Sequence, residues 1–201
     1  MARAPVIPVV AIEDTAKASA LARALLAGGV SVIEVTLRTA DALTAVDAIA
    51  REVPEMTVGV GTLTAATQVR AAAEAGAAFL VSPGYSDMIV EAAQHAGLPL
   101  LPGVSTATEL MRAQADGFEH VKFFPAVPSG GVGALKAFSG PFPAMRFCPT
   151  GGVHSGNYPD FLALPNVPCV GGSWLAPADA VASRDWAHIQ TLAASVVERP
   201  R

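Results

Sequence analysis

Short apolar runs alternate with alanine-rich helical stretches eight times along this chain, and that alternation constrains the fold more than any other feature. The apolar runs lie at 6–12, 30–36, 56–60, 77–81, 98–104, 119–126, 145–148 and 167–171. Helical stretches follow them at about 14–27, 41–52, 64–75, 87–96, 106–115, 130–139, 157–164 and 178–197. Asp14 or Thr15 can cap the first helix, and Gly28-Gly29, Gly76 and Gly97 stand where helices stop. The strands read as continuous apolar runs rather than polar-apolar alternations, which predicts a parallel sheet covered by helices. Eight such units predict an α/β chain folded as a single (β/α)8 TIM barrel. An open doubly wound sheet would carry a glycine fingerprint after its first strand. That turn here is Ala11-Ile12-Glu13-Asp14. The 201 residues are at the lower limit for a barrel, so residues 1–201 are expected to form one domain with short loops.

The balance of residues narrows the partners. The hydrophobic fraction of 52% against 15% charged suits many strands buried on both faces. A net charge of −4 with no basic run argues against nucleic acid or an anionic membrane surface. No apolar stretch approaches the roughly 18–20 residues that span a bilayer, and the first residues lack the apolar core of a secretory signal. A cytoplasmic protein is expected. Cys148 and Cys169 read as buried thiols, and no CxxC or HxxxH spacing suggests a metal site.

In a barrel the active site lies at the C-terminal ends of the strands. Lys122 is the residue there that does not suit a core. It is one of three lysines, set between Val121 and Phe123 in the sixth strand. A buried ammonium is costly unless paired, and burial favours the neutral, nucleophilic amine. An edge-strand lysine that blocks aggregation is the alternative, but a closed barrel has no edge. Side chains on a strand alternate faces, so Lys122 shares the barrel interior with Phe124. On the second strand the same rule groups Glu34, Thr36 and Arg38, provided the strand stays regular that far. A buried Glu34–Arg38 ion pair is the purely structural reading of that group. The third strand ends Gly59-Val60-Gly61-Thr62, where glycines admit a close neighbour and Thr62 offers a hydroxyl. Pro83-Gly84 and Pro102-Gly103 make stiff loops after the fourth and fifth strands. Gly151-Gly152 and Gly171-Gly172-Ser173 follow the last two strands, where barrels commonly bind phosphate through exposed amides.

A neutral amine attacks a ketone and yields an imine, which allows the C–C bond one carbon further on to break. One carboxylate such as Glu34 can take the departing hydroxyl's proton and later protonate the enamine. Arg38 can hold a substrate carboxylate in a bidentate grip. With a phosphate cradle, the set suggests a phosphorylated 2-oxo acid and class I aldolase chemistry, without a metal. The same residues also permit other imine chemistry.

The strings carrying this chemistry resemble the 2-dehydro-3-deoxy-phosphogluconate aldolase family, which includes the 4-hydroxy-2-oxoglutarate aldolases. The matching stretches are Glu34-Val35-Thr36-Leu37-Arg38-Thr39, Gly59-Val60-Gly61-Thr62, Ser82-Pro83-Gly84, Pro102-Gly103-Val104-Ser105-Thr106, Lys122-Phe123-Phe124-Pro125-Ala126, Phe147-Cys148-Pro149-Thr150-Gly151-Gly152 and Gly171-Gly172-Ser173-Trp174. The resemblance implies a cytoplasmic homotrimeric barrel that cleaves 2-dehydro-3-deoxy-6-phosphogluconate to pyruvate and D-glyceraldehyde 3-phosphate, the lyase step of the Entner-Doudoroff pathway. It implies Lys122 as the Schiff-base lysine, with no cofactor, and Glu34 as general acid/base. It further implies Arg38 and Thr62 on the pyruvate-derived carboxylate, and Pro83, Phe124 and Thr150 lining the site. Phosphate binding falls to Gly151, Gly152, Gly172 and Ser173. Family members often begin with a helix ahead of the first strand, which here is short or missing. A side activity on 4-hydroxy-2-oxoglutarate is expected. The epimeric galactonate-derived substrate, or a non-catalytic barrel that binds 2-oxo acids, are the alternative readings.

Overall fold

Parallel strands with a helix after each return the chain to the same end of the sheet every time, and the repetition closes on itself. The computed structural model describes residues 4–197. Its strands are β1 (Val6–Val10), β2 (Val32–Thr36), β3 (Thr57–Gly61), β4 (Phe79–Val81), β5 (Leu100–Leu101), β6 (Gly103–Val104), β7 (His120–Phe123), β8 (Arg146–Pro149) and β9 (Val170–Gly172). Six run side by side in the order β5-β4-β3-β2-β1-β9, and β6-β7-β8 form a second group. β5 and β6 are one strand interrupted at Pro102, which has no N–H for the ladder. The groups meet on both sides. The Lys122 N–H donates to the Pro102 carbonyl (2.9 Å), and Phe147 N–H to Asn166 C=O (2.8 Å). A parallel bridge joins Thr150 to Gly171. The result is the expected (β/α)8 barrel, with β5 and β6 counted as one strand.

The outer helices are α1 (Ala18–Ala27), α2 (Ala42–Glu52), α3 (Ala66–Glu74), α4 (Asp87–Ala96), α5 (Ala107–Ala115), α6 (Gly131–Phe138), α7 (Tyr158–Leu162), α8 (Ala178–Ser183) and α9 (Trp186–Val197). Asp14 is the cap at the first helix, accepting from the Ala16 N–H at 3.0 Å and opening a 3-10 turn that leads into α1. Thr106 and Glu109 form a capping box on α5. The single helix expected over 178–197 is instead two. Arg184 takes a left-handed conformation (φ 60°) at the end of α8, and the Asp185 carboxylate restarts the chain by accepting the His188 N–H at 3.1 Å. The short or missing N-terminal helix falls on residues 1–3, outside those described.

Strand parity sorts the side chains as expected. Phe123 and Phe147 face outward and form an aromatic cluster with Phe138, at centroid distances of 6.1–6.4 Å. Glu34 and Lys122 face inward and are buried. Among the described residues no helix is long and apolar enough to cross a membrane.

Candidate active site

Lys122 and Glu34 come from strands on opposite sides of the barrel and meet inside it. Lys122 Nζ lies 3.2 Å from Glu34 Oε1, with both side chains about 95% removed from solvent (6% and 5% exposed). Removing two charges from water is expensive, so the pair is held by the fold rather than holding it. Register places Lys122 beside Gly103 on β6 and Cys148 on β8. Its ammonium also lies 5.3 Å from the centre of the Phe124 ring, a cation–π contact. The Cys148 thiol, hydrogen-bonded to Cys169 and buried, is pushed well above the usual thiol range. It therefore stays protonated beside the amine and does not compete as a nucleophile.

Other expected residues surround this pair. Phe124 stands at the end of β7, and its ring packs beside Gly151, whose φ is +95°. The left-handed Gly151-Gly152 turn, with φ values of +95° and +78°, therefore begins at the edge of the lysine's aromatic neighbour. Thr150 is buried, and its side chain occupies the space that a Cβ on Gly171 would fill. Pro83 lies against Gly103, and the Ser82 hydroxyl accepts the Gly103 N–H at 3.3 Å, tying the loop after β4 to β6. Thr62 follows β3 with φ 64°, a strained conformation for a β-branched residue of the kind that gathers at functional sites.

Arg38 requires a correction. Extending the period-two rule put it on the face shared by Glu34 and Thr36. The strand ends at Thr36, and Arg38 is an exposed residue of the turn that follows. Among the described residues its guanidinium makes no ion pair or hydrogen bond, so the structural pairing with Glu34 is absent. It lines a cavity of about 440 Å3 together with Val9, Glu13, Ser173, Trp174 and Pro177. An unpaired guanidinium and the exposed Ser173 thus face one space at the barrel mouth. Thr36, for its part, donates its hydroxyl to the Val10 carbonyl at 3.1 Å and serves β1.

Two residues of the site were not singled out from the sequence. Trp174 lies against Gly172 and packs on Tyr158 with ring centres 5.5 Å apart and the planes tilted by 33°, forming a wall of the mouth. Gly61 lies under the Glu34 carboxylate. The pattern Gly59-Val60-Gly61 announces a close approach, but not by what. A larger cavity, about 720 Å3, opens at the other end of the barrel among Ile7, Val32, Thr57, Phe79, Leu100 and Phe118. It sits at the N-terminal ends of the strands, away from every polar group just described. His120 lies on that side too. Among the described residues no cluster of three or more His, Cys, Asp or Glu side chains could hold a metal.

A buried amine bonded to a carboxylate, with an unpaired guanidinium and glycine turns at the mouth, can carry imine chemistry on an anionic ketone. Known proteins with similar sequences and folds agree with that chemistry. A family model described as KDPG and KHG aldolase matches residues 1–192. A 2-dehydro-3-deoxy-phosphogluconate aldolase of Pseudoalteromonas atlantica is 52% identical over 193 residues, covering 96% of this chain and 90% of that protein. The KDPG aldolase of Legionella pneumophila, solved with pyruvate captured at low pH as a covalent carbinolamine intermediate, superposes with a TM-score of 0.96. It is 45% identical, over 98% of this chain and 96% of that one. The 2-keto-3-deoxy-6-phosphogluconate aldolase of Zymomonas mobilis, solved with 3-phosphoglycerate, gives a TM-score of 0.94 at 44% identity, covering 100% and 94%.

Proposed function

Because this chain belongs to the KDPG and KHG aldolase family, we propose that it cleaves 2-dehydro-3-deoxy-6-phosphogluconate to pyruvate and D-glyceraldehyde 3-phosphate through a Schiff base on Lys122. The observation that carries this reading is the buried Lys122–Glu34 contact of 3.2 Å at the C-terminal end of the barrel. Passing one proton along that contact gives a neutral amine and a carboxylic acid. The amine adds to the C2 ketone, and the carbinolamine hydroxyl leaves as water with Glu34's proton, giving an iminium. Glu34, again a carboxylate, takes the C4 hydroxyl proton as the C3–C4 bond breaks. The bonding pair moves into the iminium to form an enamine, and the aldehyde departs. Glu34 returns the proton to C3, and water adds to the resulting iminium to release pyruvate and the Lys122 ammonium, which restores the starting pair.

Arg38, with Thr62, holds the carboxylate end of the substrate. Pro83, Phe124 and Thr150 shape the space around the imine. The phosphate sits on the Gly151-Gly152 turn and the Gly172-Ser173 loop, whose amides and hydroxyl are donors. The chemistry requires no cofactor beyond the lysine itself. Unphosphorylated 4-hydroxy-2-oxoglutarate, whose distal carboxylate is also an anion, is a secondary substrate of the same site. The chain acts as one domain, in the cytoplasm, where a multiply charged sugar acid phosphate is retained. It works as a homotrimer, to which the exposed Met88 and Met111 on neighbouring helices offer apolar surface.

The deciding experiment measures kcat/KM on the gluconate-derived substrate, on its galactonate epimer and on 4-hydroxy-2-oxoglutarate. The gluconate-derived substrate is expected to lead by at least about tenfold, a difference worth ~1.4 kcal/mol in transition-state binding. A preference for the epimer, or pyruvate binding with no turnover of any of the three, overturns the proposal.

A further inference from the structure

The acid/base role proposed for Glu34 depends on where its carboxylate stands, and the neighbouring strand controls that. Glu34 on β2 is registered with Gly59 on β3, and Gly61 follows two residues along on the same face. An ideal Cβ built on Gly61 would lie 2.6 Å from both Cγ and Cδ of Glu34 and nearer still to Oε1, where real Cβ atoms keep at least 3.0 Å from such neighbours. The three heavy atoms nearest to that Cβ all belong to Glu34. Gly61 is not among the residues with positive φ, so its backbone does not itself call for glycine. A glycine inside a strand weakens it and marks a close approach. Here the approaching group is the carboxylate that bonds Lys122.

We propose that Gly61 is a positioning residue for the aldol reaction: its missing side chain is the space through which Glu34 leans along the barrel axis to reach Lys122. Any Cβ at position 61 displaces the carboxylate. Glu34 is the flexible partner in that clash, so the chain can yield by moving it, at the expense of the 3.2 Å contact with Lys122. The effect on chemistry should therefore exceed the effect on folding. The site just below follows the same plan to a different end, since the Phe79 ring covers Gly59 and fills the barrel floor.

This inference rests on the acid/base role of Glu34 given above, and the test separates the two. Gly61→Ala is made in the wild-type protein and in Glu34→Ala. Exchange of the pyruvate methyl protons for deuterium reports proton transfer at the enamine carbon, and urea unfolding reports stability. Gly61→Ala is expected to lower the maximal exchange rate by about 100-fold, the lower range of a general acid/base contribution, with the KM for pyruvate within about threefold, since Lys122 and the carboxylate anchors are untouched. In the Glu34→Ala background the same change should leave exchange unchanged and should not lower stability, because nothing remains to be displaced. Retention of more than half of the wild-type exchange rate in Gly61→Ala, or an equal further loss in the Glu34→Ala background, overturns the proposal. If Gly61→Ala alone fails to fold, folding of the double variant supports it and failure of both contradicts it. If the wild-type protein shows no exchange at all, the aldolase reading fails, while the stability comparison still decides whether Gly61 is there to clear Glu34.

Discussion

Replacing Lys122 with methionine tests whether the buried pair is retained for chemistry or for stability. The Lys122 and Glu34 side chains are almost wholly enclosed, 3.2 Å apart, so removing the ammonium strands a carboxylate in the barrel interior. Breaking such a pair from one side costs about 3–5 kcal/mol. At roughly 2–4 °C per kcal/mol for a chain of this size, Lys122→Met should melt about 6–20 °C below wild type. Glu34→Leu strands the ammonium instead and should lose a similar amount. The double variant removes both charges and fills the space with apolar atoms. It should return to within about 1 kcal/mol of wild type or exceed it, because buried ion pairs often do no better than hydrophobic replacements. Urea unfolding at neutral pH gives the three differences, with an unchanged m-value confirming that the denatured state is comparable. None of the three variants should cleave substrate. If each single change costs less than about 1 kcal/mol and the two simply add, the charges are not desolvated and the reasoning from burial to reactivity fails.

Three further outcomes follow from individual contacts. Thr62→Gly relieves a left-handed β-branched residue (φ 64°) and should gain about 1 kcal/mol in unfolding free energy, while kcat/KM falls because the hydroxyl is gone; a loss of stability would contradict the strain. Arg38→Ala should raise KM for pyruvate at least about tenfold with little change in melting temperature, since the guanidinium has no protein partner among the described residues, and Arg38→Lys should recover only part of the loss because a point charge cannot grip a carboxylate at two points. Burial opposes ionisation of Glu109, but the donors of Ser105 and Thr106 outweigh it and hold its carboxyl below the ordinary 4.5. A depressed folded-state value means stability that is present above the unfolded value and lost as pH falls through the folded one, so Glu109→Gln should flatten the acid side of a melting-temperature profile, and an unchanged profile would exclude the cap as its source.

What the sequence discloses here follows from which forces act locally. Hydrophobic period and glycine stops are local, so the eight strand-helix units could be read directly, and Asp87–Ala96 runs over the very residues expected. The inward direction of Lys122 was legible because a buried strand permits only two directions per side chain. Where a strand stops is set by its neighbours, so the parity rule carried Arg38 two residues past the end of β2 onto a face it does not occupy. The break between α8 and α9 depends on the left-handed turn at Arg184 and on the Asp185 cap. Within an alanine-rich stretch that pattern looks like continuous helix. Gly61 shows the same limit at the site. Its lack of a side chain is plain in the sequence, but the carboxylate that needs the space lies 27 residues earlier and on the adjoining strand.

Reductive trapping tests the central claim most directly. Pyruvate and borohydride are added together, and the protein is digested and mapped by mass spectrometry. One reduced pyruvate adduct per chain, carried by the peptide at Lys122 and accompanied by irreversible loss of aldol cleavage, is the result expected of a buried amine bonded to Glu34. Full activity surviving the treatment, or an adduct on Lys17 or Lys136 with Lys122 unmodified, would contradict it.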